Sequence, residues 1–454
     1  MSKLEPETKT TIHIGFDDTD SLEGGCTTYL ALAIINQIAG FCKFLDYPRL
    51  IRNNPNIPWK TRGNGSIALS VEVRDCDIEK IKEACVSQIN KHHRKDENTN
   101  PGLVIIKGEI PTKLKEFSIK ALIKHLSISE AKTLAEECSY FLFSKGNGRG
   151  LIGALAAVGN QLKPSEEDFT FELLAYRTEE FIGTKRKVKK DSVYEMDKQL
   201  TPNVFNNIDS ESNKILICPA GKDPVFFGIR GEKASDVLEA LSIIETDEPF
   251  NGYCIFRTNQ GTDQHFKYAD SSAENYSVFK GLIQITEKPE TIMGGHVFLK
   301  GNIISSNQEI NLAAFEPSKS FKKIIKQLLP EDRIFAYGGV KYKEEFEIYS
   351  VHLEKCEITQ LTECFIEEAP FCPECSKRMT SDGYQKGYKC RSCGYKDKKL
   401  KKIRKNIKRA LEKGLYIPPE QAQRHLVKPL RRYTIEPKNT FDFITDWWKK
   451  YAKA

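Results

Sequence analysis

Three carboxylates fall within four residues at Asp17, Asp18 and Asp20, directly after the alternating apolar residues Ile12, Ile14 and Phe16 of a short strand with one buried face. Carboxylates this close repel one another, so a folded chain needs positive charge among them, most simply a hard cation such as Mg²⁺ held by oxygen ligands. Thr19 lies inside the cluster. Gly24 and Gly25 follow, then Cys26, Thr27 and Thr28 at the start of an apolar pattern (Tyr29, Leu30, Leu32, Ile34, Ile35) with the period of a helix. Glycines ahead of a helix N-terminus leave backbone N–H groups free to cradle phosphate. Aspartates also make turns and caps. The convergence of carboxylates, glycines and hydroxyls on one strand-to-helix turn favours Mg²⁺ with a nucleotide.

A second polar loop, Asn53 to Gly65 (NNPNIPWKTRGNG), presents Lys60, Arg62 and Asn64. Pro55 and Pro58 exclude a regular helix there, so the cations either face an anion or belong to a surface connection. Gly146, Asn147 and Gly148 in the stretch GNGRG precede the apolar run LIGALAAVG. Backbone packed close to a phosphate, or a tight turn before a buried helix, explains them equally well. The strongest local signal comes late, where Cys372 and Cys375 form one CxxC pair and Cys390 and Cys393 a second. Four thiolates at this spacing make a closed tetrahedral site for a structural Zn²⁺ in a ribbon.

These groups are carried by 454 residues, 39% hydrophobic and 29% charged, a globular composition with length for about two to four domains. Around the acidic turn, strands at Ile67–Val73 and Leu103–Ile106 and a helix at Asp77–Lys91 outline a first α/β region. A second region has strands at Phe169–Ala175, Ile215–Cys218, Val225–Ile229 and Cys254–Phe256 and a helix at Lys233–Ile244, an α+β sandwich of ferredoxin-like type. Arg230, Arg257, Thr258, Asn259 and Gln260 follow its strand ends, where ligand groups and plain turns both occur. Short strands with one inserted helix (Phe321–Leu328) between Tyr276 and Leu353 suggest a five-stranded OB barrel, a grip for single-stranded nucleic acid. The fold class expected is thus multidomain α+β. Expected bounds are 8–132, 133–272, 273–360 for the barrel, and 361–454 for the ribbon and a basic C-terminal segment.

Net charge is +7, concentrated late in a basic helix expected over Lys396–Lys413 and in RHLVKPLRR. Beside a ribbon, such charge points to nucleic-acid phosphates, with Lys399, Lys401, Lys402, Arg404, Arg424, Lys428, Arg431 and Arg432 as candidate contacts. Trp447 and Trp448 suit docking on the body or stacking on RNA equally. No apolar run approaches the ~20 residues of a membrane span. The N-terminus has no apolar secretory core, and thirteen cysteines follow no disulfide framework, so a cytoplasmic protein without a membrane partner is expected.

Together the stretches GFDDTDSLEGGCTTYL, RNNPNIPWKTRGNG, SKGNGRGLIGALAAVG, DPVFFGIRG, IFRTNQGTD and GGHV, then CPEC…CRSC and RHLVKPL, resemble the archaeal 2-agmatinylcytidine synthetases that act on the CAU-anticodon isoleucine tRNA. The resemblance runs in order along nearly the whole chain. It implies a kinase-like N-terminal domain, a ferredoxin-like domain, an OB fold and a zinc ribbon. It also implies a ligase that uses ATP, cleaved to AMP and phosphates, to replace the 2-oxo group of the wobble cytidine with agmatine, so that AUA is decoded as isoleucine. Carried over by position, Asp17, Asp18 and Asp20 match the acidic metal and ATP motif. Thr27 matches the threonine the family phosphorylates, and Lys60, Arg62 and Asn64 match the loop near the nucleotide. Gly25 is a small departure between glycine and cysteine that keeps the threonine spacing. Two other readings compete with the ligase: an ATP-dependent RNA kinase or nucleotidyltransferase, and a non-catalytic RNA-binding protein.

Overall fold

The strand Lys9–Asp17 lies inside an eleven-stranded sheet of the computed structural model, which describes residues 8–96, 98–436 and 438–451. Across the sheet the order is Phe141–Ser144, Gly102–Lys107, Lys9–Asp17, Gly65–Arg74, Arg49–Arg52, Phe250–Thr258, Thr170–Arg177, Val225–Gly231, Val204–Phe205. Cys42–Phe44 adds to Gly65–Arg74, and Trp448–Lys450 adds to Phe250–Thr258. Neighbours run antiparallel except at the centre, where Arg257 and Thr258 pair in parallel with Arg49 and Leu50. That joint fuses the first two sequence regions into one sheet with one continuous apolar core.

The first strand was expected to bury one face; both are covered. Ile12, Ile14 and Phe16 are fully buried on one side, and alternation puts His13, Gly15 and Asp17 on the other. Over that second face lies the helix Gly150–Gly159, the apolar run after GNGRG. It packs by backbone: a Cβ on Gly15 would lie 2.2 Å from the Ala154 carbonyl oxygen, and one on Gly102 would lie 2.3 Å from the Gly150 carbonyl carbon. The small residues of this run therefore serve close packing.

Val278–Ile285, Val297–Ile303, Glu309–Ala314, Arg333–Lys343 and Ile348–Gln360 close into a separate barrel with its own core. Glu309–Ala314 pairs with Ile348–Gln360 in parallel, and the helix Lys319–Ile325 sits between the third and fourth strands. Asn54 Nδ2 donates to the Tyr276 carbonyl and Asn56 Nδ2 to that of Ser277, tying the polar loop that carries Lys60 to the barrel's start.

The cysteine-bearing segment holds a three-stranded sheet (Thr380–Ser381, Tyr388–Lys389, Lys396–Asp397) and a ribbon of Cys364–Glu368 with Ile403–Ile407. The expected basic helix is therefore corrected to a strand. In a helix its lysines and arginines would stack like charges three and four residues apart. In the strand, Lys405 pairs opposite Ile366 and Arg404 opposite Glu367, with the Arg404 guanidinium 3.8 Å from the Phe365 ring centre. One smaller expectation also changes: in place of a strand at Ile215–Cys218, Ile215 makes only an isolated bridge to Ile208.

Beyond the ribbon the chain returns. Gly414–Tyr416 joins the barrel, and the final strand joins the large sheet. Trp447 is 4% exposed against Phe44 and Tyr47, so this pair of tryptophans docks on the body. Trp448 takes part in the last strand.

Candidate active site

A cavity of about 700 Å³ opens at the strand-to-helix turn and runs along the seam of the fused sheet. The first region contributes Asp17, Asp18, Asp20, Thr27, Thr28, Arg52, Trp59, Lys60, Arg62 and Asn64. Asn147, Arg149, Glu172, Asp223 and Arg230 come from the second region, and His425 from the returning C-terminal segment. A volume of this order suits a nucleotide-sized ligand.

Asp17 ends its strand beneath the buried helix, where a Cβ on Gly153 would fall 1.8 Å from its Oδ2. Burial, with Asp18 beside it, pushes the Asp17 carboxyl well above its ordinary range, and it has no ion-pair partner among the described residues. Asp18 takes a left-handed backbone (φ 57°) and accepts from Arg149 Nε at 3.0 Å, with Nη2 of the same guanidinium 2.9 Å away as an ion pair. Asp20 accepts from Arg62 Nη1 at 2.7 Å and Thr61 Oγ1 at 3.2 Å. Burial raises Asp18 and Asp20 too, against the pull of those guanidiniums. Among the described residues the four cysteines form a metal-ligand group, their sulfurs all within 4.8 Å of one another, and the three carboxylates form no such group.

Thr27 opens the helix Thr27–Ile38, whose first turn has no acidic residue and whose preceding Cys26 gives no side-chain cap. Its N-terminal N–H groups are left for an anion. The Thr27 and Thr19 hydroxyls lie 3.0 Å apart. Burial pushes the Cys26 thiol up to about 11, so Cys26 is not a ready nucleophile. Arg62 fastens the turn, donating to the Gly25 carbonyl at 3.3 Å and the Ser21 carbonyl at 3.1 Å, with Asp223 3.8 Å from its Nε.

Thr19, Gly24, Gly25, Gly146 and Gly148, expected among the nucleotide contacts, are not among the residues that line the cavity. Gly24 and Gly25 form a tight turn against Arg94, and Gly146 leaves room for Asn100, whose Oδ1 accepts from the Asn147 N–H at 3.0 Å. Asn64 lines the cavity but donates its amide to the Asn54 carbonyl at 2.8 Å.

The far wall is basic. Glu172, 2% exposed, accepts from Arg52 Nη2 and Arg230 Nε, each at 3.2 Å. His425 presses on the same place: a Cβ on Gly63 would lie 2.6 Å from its Cδ2 and 2.7 Å from Arg52 Nη1. Arg52, with burial, Arg230 and Lys60, pushes the imidazole well below its ordinary range. Sequence reasoning missed Arg52, Glu172, Asp223 and His425. Arg149 was hidden inside a motif noticed for its glycines, and Arg230 was noted only as a strand-end residue.

Among the expected nucleic-acid contacts, Lys399, Lys401, Lys402 and Arg404 are exposed on the ribbon side. Arg424 pairs with Glu354 at 3.1 Å, Lys428 with Asp168 at 3.1 Å, and Arg431 donates to the Val204 carbonyl at 3.2 Å. Arg432 is a correction. It is 1% exposed, held between Asp168 and Glu232, and its guanidinium is spent inside the fold.

In the ribbon the Cys372 and Cys393 sulfurs lie 3.5 Å apart and those of Cys375 and Cys390 3.4 Å apart. Four thiols converging this closely fit one tetrahedral Zn²⁺, a closed structural site.

Family models described as the TiaS TCKD domain, the TiaS FLD domain and the TiaS C-terminal zinc ribbon domain match residues 13–75, 148–265 and 369–411. TiaS of Thermococcus sibiricus, a 2-agmatinylcytidine synthetase for the second isoleucine tRNA, is 43% identical over 426 residues, covering 92% of this chain and 95% of the relative. The chain belongs to the TiaS family. The Archaeoglobus fulgidus relative of the same name is 39% identical over 437 residues, 95% of this chain and 99% of its own. Two solved structures cover 95% of this chain and 100% of theirs. One, a TiaS complex with that isoleucine tRNA and ATP, has TM-score 0.83 at 38% identity. The other, a TiaS complex with the same tRNA, AMPCPP and agmatine, has TM-score 0.80 at 36% identity. The TiaS family models thus fall on the acidic turn, on the wall that brings Glu172 and Arg230, and on the four cysteines.

Proposed function

We propose that this chain is a tRNA-modifying ligase that uses ATP to attach agmatine to carbon 2 of the wobble cytidine in the CAU anticodon of an isoleucine tRNA. The observation that carries this reading is the likeness, over 95% of the chain, to the TiaS complex with isoleucine tRNA, AMPCPP and agmatine. The cavity supports it, because one space holds an acidic turn, a helix N-terminus with a hydroxyl, and a basic wall.

The chemistry sets the tasks. A pyrimidine carbonyl oxygen leaves poorly, so phosphoryl transfer from ATP converts it into a phosphate leaving group. The agmatine amine then forms the C–N bond, the C–O bond breaks, and phosphate departs. Thr27, at the helix start, is the hydroxyl we assign to the phosphoryl-transfer chemistry. Arg62 stabilises charge on the transferring group, Arg149 holds Asp18, and Lys60 stands with His425 on the basic wall. Burial and the Arg424 charge lower Lys60, which favours release of its proton more than in water. The amine, protonated near neutral pH, gives its proton to a carboxylate or phosphate oxygen before attack.

Asp17 and Asp18 suit Mg²⁺ shared with phosphate oxygens, since Mg²⁺ is commonly held by one or two carboxylates and the substrate. Bound there, the ion would neutralise phosphate charge. Asp20 then serves to hold Arg62. The barrel, as an OB fold, and the exposed ribbon lysines would grip the anticodon arm. Unpaired cysteines support a reducing compartment, the cytoplasm.

The test is incubation with ATP, Mg²⁺, labelled agmatine and an unmodified CAU-anticodon isoleucine transcript. Label entering the RNA, dependent on ATP and on a wobble C, is the expected result. ATP turnover without label would favour an RNA kinase instead.

A further inference from the structure

The cavity has two unlike ends, and the proposed reaction explains only the acidic one. At the other end two guanidiniums, Arg52 and Arg230, share the single carboxylate of Glu172, with Lys60 and His425 on the same wall. Counting charges, the three cations Arg52, Arg230 and Lys60 face the one carboxylate of Glu172, leaving about two positive charges without an ion-pair partner among the described residues. The Arg52 and Arg230 side chains are only 13% and 19% exposed, and excess charge on such shielded guanidiniums is costly unless a ligand compensates it; Lys60 is exposed beside them. The imidazole of His425 has no hydrogen-bond partner among the described residues, although it touches Gly63 and Arg52. A second cavity of about 160 Å³ borders the same wall, sharing Arg230 and His425 and adding Asn206, Gln260 and Arg424.

We propose that Arg52, Arg230, Lys60 and His425 form a metal-free phosphate subsite that takes a backbone phosphate of the RNA beside the cytidine being modified. Position favours RNA over the ATP tail. The triphosphate is drawn to the acidic turn, where a cation can be shared. The basic wall instead adjoins the barrel: Arg424, next to His425 in the chain, pairs with Glu354 of the barrel strand Ile348–Gln360 at 3.1 Å. Asn56, in the loop before Lys60, donates to the Ser277 carbonyl at the barrel's start. RNA held on the barrel thus meets this wall as its base enters the cavity. The two guanidiniums can clamp a phosphate from two sides, with the ring and the ammonium completing the shell. The carboxylate of Glu172 keeps the guanidiniums in place while the pocket awaits RNA.

This rests on the reading of RNA as substrate, and the experiment separates the two. The full chain and its Arg230→Gln, His425→Gln and Glu172→Gln variants are compared for tRNA affinity against salt and for KM of tRNA, ATP and agmatine. Arg230→Gln should weaken tRNA binding about tenfold and reduce the slope of log affinity against log salt by about 0.7, the value of one single-strand phosphate contact. Its KM for ATP and agmatine should stay within about twofold. Glu172→Gln removes the competing carboxylate and should tighten tRNA binding, an opposite sign that misfolding does not produce. His425→Gln should weaken tRNA binding in the same sense as Arg230→Gln. An unchanged tRNA affinity and slope in Arg230→Gln would overturn the subsite. A rise in ATP KM with tRNA unaffected would overturn the RNA assignment and give the wall to the triphosphate. Absence of label incorporation by the unsubstituted chain would instead defeat the functional reading.

Discussion

Asp17 and Thr27 show how a few atoms carry the chemistry. Thr27→Ala removes one hydroxyl at the helix start without touching the barrel or the ribbon. Agmatine incorporation should fall at least about a thousandfold, with tRNA affinity unchanged in a binding assay, and Thr27→Ser should recover activity. Asp17→Asn has a less obvious consequence. Burial holds this carboxyl above its unfolded value, so ionising it costs the folded state. The cost is absent in acid and grows as pH rises from the unfolded carboxylate range toward the folded value. Near neutral pH the apo variant should therefore melt higher, by about 2–4 °C per kcal/mol recovered, a gain that vanishes in acid, while activity is lost. Thermal melts at both pH values check the sign. The aspartates, Thr27 and Lys60 were legible because their types cluster in the chain. Glu172 and His425 were not. They reach the cavity by folding from distant segments, and a single acid on a strand carries no local mark.

At the level of elements, the sequence announced the acidic strand, the helix behind it and the cysteine pairs, whose periods and spacings are strong. It misjudged the basic run after the ribbon, because charge alone does not choose between helix and strand; the apolar and acidic residues of Cys364–Glu368 opposite it do. The four cysteines hold that whole excursion together. Cys390→Ser should lower zinc content from one equivalent to none and weaken tRNA binding more than ATP binding, measured by metal analysis beside the two affinities. Full zinc content in this variant would refute the four-thiolate site.

For the whole molecule, a barrel and a ribbon were legible, but reading the chain as consecutive regions hid the fusion of the first two, since a parallel joint between Arg49–Arg52 and Phe250–Thr258 leaves no sequence signal. The docking of the C-terminal segment was equally invisible. Trp447→Ala, although far from the cavity, should destabilise the protein by about 3–5 kcal/mol, read as a lower midpoint in denaturant. The same docking sets how the chain must find its shape. The Tyr47 hydroxyl donates to the Asp442 carbonyl across 395 residues, at 2.7 Å. Closing so wide a loop costs little at equilibrium, about 0.6 kcal/mol per doubling of length, but it is slow. Until it closes, one edge of Phe250–Thr258 stands open. At high concentration a neighbouring chain's last strand can fill that edge first, so refolding in crowded solution yields exchanged dimers, each borrowing its partner's end.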